Sequence, residues 1–535
     1  MEKKISRIIT WKWVVAGIML LTGCQQKQSM PVPQKAPNIL LALADDQSWL
    51  HTSISGDNVI KTPTFDRIAK EGVMFTNAFA ACPSCTASRT AILTGQEIWR
   101  TRQAGLLMSS MPPDLKLFTH ILADNGFFVG YTGKGWAPGN WSYLGLKRDP
   151  LVNEYNSRLE KEIAYGIDKR NYTANFKDFL KDKPKDKPFF FWFGSTEPHR
   201  EYQYGVGEKE AKLNPDNIKV PPFWPDNEVV REDILDYYYE IMWFDSHLAS
   251  MIYELEQAGE LENTIIIVTS DNGMPFPRAK VNLYDWGTHM PLAIRWGKNI
   301  KWGRKVNDLV SLTDLAPTIL EAAGLKIPEE MTGKSLMPIL TSEKVGIVDP
   351  NRDRVFTALE RHTYCRPDGA TYPMRAIRTQ DYLYIRNFKP DRWPTGGPDF
   401  ISSNKTTHGD VDACPTKSFI LENQKSFPEL YELNFGKRPP EELYDVANDP
   451  AQMHNLAVEP EYKNITDSIS EMLTEYLVKT DDPRIEGKDP WQNYIYHQES
   501  GFGSTYNKAL PEPERERAKL RPSDHPDLKV EDLKK

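Results

Sequence analysis

Three apolar runs, each ending in a polar cluster, constrain the fold of this chain more than any other feature. Pro37-Asn38-Ile39-Leu40-Leu41-Ala42-Leu43-Ala44 leads into Asp45-Asp46, Phe189 to Gly194 leads into Glu197-Pro198-His199, and Thr264 to Thr269 leads into Ser270-Asp271-Asn272-Gly273. Short apolar runs without alternation suit strands buried on both faces, as in parallel sheets covered by helices. Between the second and third runs, Val230 to Gly259 carries apolar residues at helical spacing, among them Ile234, Tyr238, Ile241, Met242, Leu248 and Ile252. Strands alternating with helices predict an α/β domain with a mainly parallel sheet. Ligands of such sheets sit off the carboxyl ends of the strands, which is where the three polar clusters fall. Ser311 to Gly324 predicts a further helix. From about Asp349 the texture changes to strand-like pieces such as Tyr382-Leu383-Tyr384-Ile385, set between Pro- and Gly-rich loops. We expect a main domain over residues 37–348, a smaller α+β domain over 349–495, and a charged, Pro-bearing extension over 496–535.

A length of 535 residues fits two domains, or one large domain with an appendage. The 14 Trp, 23 Tyr and 22 Phe supply enough apolar bulk to exclude disorder for most of the chain. With 74 acidic against 66 basic residues, the net charge of −8 argues against a nucleic-acid binder held by a basic face. Contact with a polyanion must then come from a local cationic pocket. The first segment reads as an address, with Lys3, Lys4, Arg7 and Lys12 preceding the apolar stretch Trp13 to Leu21. It ends in Leu21-Thr22-Gly23-Cys24, which resembles the bacterial lipobox. That resemblance implies a signal peptide over residues 1–23, lipidation of Cys24, a tether over 24–36, and a place in the bacterial cell envelope through a membrane lipid anchor. In an oxidising compartment Cys365 and Cys414 are candidates for a disulfide, which sequence leaves open.

Cys85-Thr86-Ala87-Ser88-Arg89-Thr90-Ala91-Ile92-Leu93-Thr94-Gly95 is the densest segment. With Cys82 it contains a C-x-x-C, which alone would suit a redox pair. As a whole it resembles the signature of the type I sulfatases, Cys-x-Pro/Ala-x-Arg followed by x-x-x-Leu-Thr-Gly. In that family a maturation enzyme converts the Cys to formylglycine, whose hydrated aldehyde is the nucleophile. The resemblance implies that Cys85 is so converted and that Arg89 positions and stabilises it. Asp45, Asp46, Asp271 and Asn272 form an all-oxygen set at two strand ends, suited to a hard cation such as Ca²⁺. Each pair alone is a common turn or cap sequence. The resemblance implies that these four and the Cys85-derived group hold one calcium ion.

Lys134, in Gly133-Lys134-Gly135-Trp136, matches the family segment Gly-Lys-x-His, whose Lys contacts formylglycine and sulfate. Trp136 replaces the His that helps expel sulfate, so the elimination base is open. His199 matches the family's Pro-His and is the candidate general acid, and Lys280 matches the second sulfate-binding Lys. His289, in Gly287-Thr288-His289-Met290-Pro291, falls in a segment that borders the family's pocket. Glu360, Arg361, His362 and Arg375 cluster charge in a strand-like region and are candidates for substrate contacts or, equally, for a structural ion-pair network.

The resemblance extends from about Pro37 to Trp491 and implies an alkaline-phosphatase-like α/β fold. Glu197-Pro198-His199-Arg200, Asn272-Gly273-Met274-Pro275-Phe276-Pro277, Asn282-Leu283-Tyr284 and Tyr372-Pro373-Met374-Arg375 are similar to heparan N-sulfatase. That branch also contains bacterial sulfatases acting on uronic-acid-bearing polysaccharides such as ulvan. The implied activity is hydrolysis of sulfate esters on a sulfated polysaccharide or its oligosaccharides. The alternatives are an N-sulfoglucosamine sulfamidase and a disabled sulfoglycan-binding lipoprotein, the latter favoured only by Trp136.

Overall fold

Every residue of the first apolar run is buried, and the run forms the central strand β1 (Asn38–Ala44) of a seven-stranded sheet. The structure, a computed structural model, describes residues 36–161, 163–402 and 406–497. The other strands are β2 (Val73–Phe79), β3 (Phe128–Gly133), β4 (Phe189–Gly194), β5 (Thr264–Ser270), β6 (His289–Arg295) and β7 (Arg304–Ser311), in the order β3-β4-β1-β5-β6-β2-β7. Strands β3, β4, β1 and β5 run parallel, β6 is antiparallel to both neighbours, and β2 pairs β7 in parallel. The sheet is thus mainly parallel, as the unbroken apolar runs require.

Alternation along β1 splits its side chains between two layers. Leu40 and Ala42 pack with Phe176 and Phe179 of the helix Tyr172–Asp182 and with Phe244 and Leu248 of the helix Glu228–Gln257. Leu41 and Leu43 face Ile92 and Leu93 of the helix Cys85–Thr94 and Leu315 and Ile319 of the helix Leu315–Ala322. Full burial of each such Leu, Ile or Phe side chain stabilises the fold by roughly 1.5–3 kcal/mol. The last of these helices is shorter than the stretch anticipated, because Leu312–Asp314 forms a separate turn under a Ser311 capping box.

A second, antiparallel sheet has the order β11-β10-β9-β8, from β8 (Arg354–Leu359), β9 (Met374–Thr379), β10 (Tyr382–Asn387) and β11 (Glu441–Asp445). The helix Lys463–Lys479 covers it through Ile469, Leu473 and Leu477. Ala87 and Ala91 pack into this second core, so the Cys85–Thr94 helix is wedged between two apolar clusters, with all its residues buried. Cys365 and Cys414 are free thiols, as are Cys82 and Cys85. The leader, Cys24, most of the tether and nearly all of the extension lie outside the described residues. No helix among the described residues is long and apolar enough to cross a membrane.

Candidate active site

Strand register builds the site. Ala44 of β1 pairs with Ser270 of β5, and the Asp271 amide continues the ladder to the Ala44 carbonyl at 3.1 Å. The residues that follow, Asp45-Asp46 and Asp271-Asn272, therefore emerge side by side. Asp46 takes a left-handed φ of 78°, which Asp tolerates better than most residues, and its amide donates to Asp271 Oδ1 at 3.2 Å. Asn272 Nδ2 donates to Asp46 Oδ1 at 2.6 Å.

On the other side of β1, the strand ends of β3 and β4 approach too closely for side chains. A Cβ on Gly194 would lie 1.9 Å from the Lys134 carbonyl, and Gly133 has φ 80°. This closure brings Lys134 to Asp45, with Nζ donating to Oδ2 at 2.5 Å. Cys85 opens its helix, where the amide ends favour negative charge, and its Sγ lies 3.3 Å from Asp45 Oδ1. One turn on, Arg89 donates from Nε to Asp271 Oδ2 at 2.7 Å and from Nη1 to the carbonyls of Lys134 and Gly135. The Val281 amide bonds the Pro83 carbonyl at 3.0 Å, tying the loop that carries Lys280 to the Cys85 segment. Lys280 Nζ donates to Asp46 Oδ2 at 2.7 Å and to Asp412 Oδ2 at 3.1 Å. His199 Nε2 stands 3.9 Å from Asp46 Oδ2, and its Nδ1 faces the Arg200 carbonyl at 2.7 Å.

Three carboxylates thus meet three cations in a sealed space. Burial opposes ionisation of Asp45, but Lys134 and Arg89 outweigh it and hold that carboxyl well below its usual range. Burial, with the Asp45 charge alongside, pushes Asp46 up to about 6 and Asp271 up to about 7, against the pull of Lys280 on the first and of Arg89 on the second. Oxygens of Asp45, Asp46 and Asp271 lie within 4.8 Å of one another, and Asn272 Oδ1 is buried without a hydrogen-bond partner among the described residues. Crowded oxygens that resist ionisation beside an unsatisfied buried acceptor fit a bound cation, and the all-oxygen donor set suits a hard one. Burial, then the charge of Asp45, drives the Cys85 thiol far above its ordinary range, so the encoded thiol is a poor nucleophile. His199 is lowered to about 4 by burial and then by Lys280. An anion seated beside it would favour the cationic form.

The remaining candidates disperse. The Trp136 indole is buried in the main core and donates to Thr90 Oγ1 at 2.7 Å, so it presents no base. His289 is stacked on Trp49 and Phe79, with Nε2 2.7 Å from the Thr76 carbonyl. Glu360 and Arg375, both at 0% exposure, pair at 2.7 Å and extend to Arg484 and Asp482 at 2.5 and 2.6 Å. Of the readings open for these two, the structure realises the ion-pair network, and neither offers a surface to a sugar. Arg361 donates to the Tyr494 carbonyl and lies over Tyr364 and Tyr496. His362 reaches the site's edge, its Nδ1 2.8 Å from Oγ of Ser84, the neighbour of Cys85. Sequence reasoning missed Asp412, which stands in an aperiodic loop with no motif around it.

Residues 37–325 match the family model described as Sulfatase, and residues 279–394 match N-sulphoglucosamine sulphohydrolase, C-terminal. An ulvan-active sulfatase of Formosa agariphila is 28% identical over 83% of this chain and 80% of its own length. The human N-sulphoglucosamine sulphohydrolase is 28% identical over 84% of this chain and 92% of its own. A solved structure described as a complex with its substrate D-glucosamine-2-N,6-O-disulfate shares the fold, with a TM-score of 0.61, 21% identity, and coverage of 85% of this chain and 100% of that one. The sheet of parallel strands with the acidic and cationic clusters at its carboxyl edge is accordingly the alkaline-phosphatase-like architecture of these enzymes, and the chain belongs to the sulfatase family of sulfuric ester hydrolases.

Proposed function

We propose that this enzyme hydrolyses sulfate esters on a sulfated, uronic-acid-bearing polysaccharide or its oligosaccharides, using formylglycine formed from Cys85 and one calcium ion. The observation that carries this reading is the convergence of Cys85, Arg89, Lys134 and Lys280 with Asp45, Asp46, Asp271 and Asn272 in one buried pocket. Calcium held by those four oxygen-bearing residues would supply fixed positive charge for the sulfate oxygens. Formylglycine hydrate would supply a hydroxyl to attack sulfur and a second to release sulfate as the aldehyde reforms.

The chain's own groups do the rest. Lys134 and Lys280 are preorganised donors, already held by Asp45 and Asp46, and need no reorganisation to meet negative charge. Arg89, fixed by Asp271 and two carbonyls, locks the helix turn that carries residue 85. His199, partly exposed where the others are sealed, is placed to protonate the departing sugar oxygen from Nε2.

Sulfamidase chemistry on N-sulfated glucosamine is the second reading, favoured by the C-terminal family match over 279–394. A maturation enzyme would act on Cys85, and Cys24 would anchor the chain to the cell envelope, as the amino-terminal sequence supports. The test is peptide mass spectrometry of the Cys85 segment from the native host, followed by sulfate release from ulvan and heparin oligosaccharides. Formylglycine with release from ulvan fragments is the expected result, and release from N-sulfated sugars alone would favour the sulfamidase. An unmodified thiol there overturns the proposed nucleophile, and glycan binding without turnover by matured protein would point instead to a binding lipoprotein.

A further inference from the structure

The pocket has a sealed floor and one partly open side. The side chains of Asp45, Asp46, Arg89 and Lys134 are at 0% exposure and Lys280 at 3%, whereas His199 keeps 18% and Asp412 keeps 22%. A sulfate seated on the floor therefore leaves its sugar against His199 and Asp412. The Asp412 carboxylate lies within 4.8 Å of both a His199 ring nitrogen and an Asp46 oxygen, beside the group that meets the leaving oxygen.

The loop carrying Asp412 is held firmly. Asp410 Oδ1 accepts from the Thr363 amide at 2.6 Å and from Thr363 Oγ1 at 2.7 Å, and Lys417 Nζ donates to the Val411 carbonyl at 2.8 Å. Asp412 spends Oδ2 on Lys280 at 3.1 Å, while its Oδ1 takes no hydrogen bond from the described residues and is not sealed from solvent. Lys280 holds the group ionised despite burial. An ionised carboxylate only accepts hydrogen bonds, and beside an anion-binding floor it repels further anions.

We propose that Asp412 is a specificity-determining residue: its Oδ1 accepts a hydrogen bond from a hydroxyl or amine on the sugar carbon next to the scissile sulfate, and it disfavours sugars bearing a second anion there. This rests on the sulfate-ester reading above. A site built to bind a substrate donor rejects the analogue lacking it, because the bound sugar covers the carboxylate oxygen and leaves it unpaired.

The test uses matured, full-length enzyme and the position-defined monosulfated monosaccharide that it desulfates fastest, with analogues in which each neighbouring hydroxyl in turn is replaced by hydrogen. For Asp412→Ala, kcat/KM on the parent sugar should fall about 10–100-fold, and on one deoxy analogue by less than about threefold. Asp412→Asn, the isosteric variant, decides the matter if the alanine variant does not fold. It should raise the relative rate on the vicinally disulfated sugar by about tenfold. Equal losses on parent and deoxy sugars would overturn the proposal, since a residue that merely steadies Lys280 moves both alike. Wild-type enzyme that releases sulfate from no sugar would refute the sulfatase reading itself.

Discussion

Below about pH 7 a cation entering the carboxylate cluster has to displace protons, which makes the pH dependence of its affinity a direct readout of the site's electrostatics. Without the ion, Asp46 titrates at about 6 and Asp271 at about 7, raised mainly by burial. At pH 8 both are largely ionised, and at pH 5 both protons must leave for a divalent ion to bind. The cost at pH 5 is about two powers of ten for Asp271 and about one for Asp46, so calcium affinity should fall about a thousandfold from pH 8 to pH 5. The assay is isothermal titration of the metal-stripped, full-length protein with calcium at several pH values. Repeating it in buffers of different ionisation enthalpy counts the protons released, which should approach two at pH 5. Stability gives a second measure with a fixed sign. Folded-state values above the ordinary 3.8 make these two groups stabilising at low pH, a contribution lost as pH rises through about 6 to 7. Calcium should therefore raise the melting temperature more at pH 8 than at pH 5. Equal affinity at the two pH values, with no proton release, would refute the reasoning and mean that Arg89, Lys134 and Lys280 alone keep all three carboxylates charged.

Three further perturbations separate catalysis from architecture. Trp136→Phe removes the donor to Thr90 and should lower unfolding free energy by about 1–2 kcal/mol in denaturant titration, with kcat changed less than about threefold. Arg375→Met leaves Asp482 without its guanidinium partner and Glu360 with Arg484 alone, and should destabilise the fold by about 3–5 kcal/mol, while the folded fraction keeps its KM. A raised KM with stability intact would return Arg375 to the substrate. His199→Gln should reduce kcat/KM on sugar sulfates about 10²–10⁴-fold but spare nitrophenyl sulfate, whose phenolate leaves without a proton. Equal losses on both would remove His199 as the general acid.

Much of the candidate site was legible because the polar clusters sit at strand ends, which this architecture brings together. The runs ending at Ala44, Gly194 and Thr269 declared buried parallel strands, and the polar residues after them converge in the candidate site. The direction of the Trp136 indole was hidden, since a motif reports position along the chain and not which way a ring turns to find Thr90. Glu360 and Arg375 were ambiguous because Asp482 and Arg484, which complete their network, lie more than a hundred residues downstream. Asp412 left no trace because its loop has no period and its bond to Lys280 spans 132 residues.

The burial of the Cys85–Thr94 helix sets a schedule for the protein's making. With Cys85 at 1% exposure and the helix clamped between two cores, no catalyst can reach that side chain once both have packed. The conversion proposed for Cys85 is therefore in a race with folding. On that proposal, a chain that collapses first would be trapped around an inert thiol, stable and inactive, beyond rescue by enzyme added later. Conditions that delay docking of the second sheet should raise specific activity without altering a single residue of the pocket.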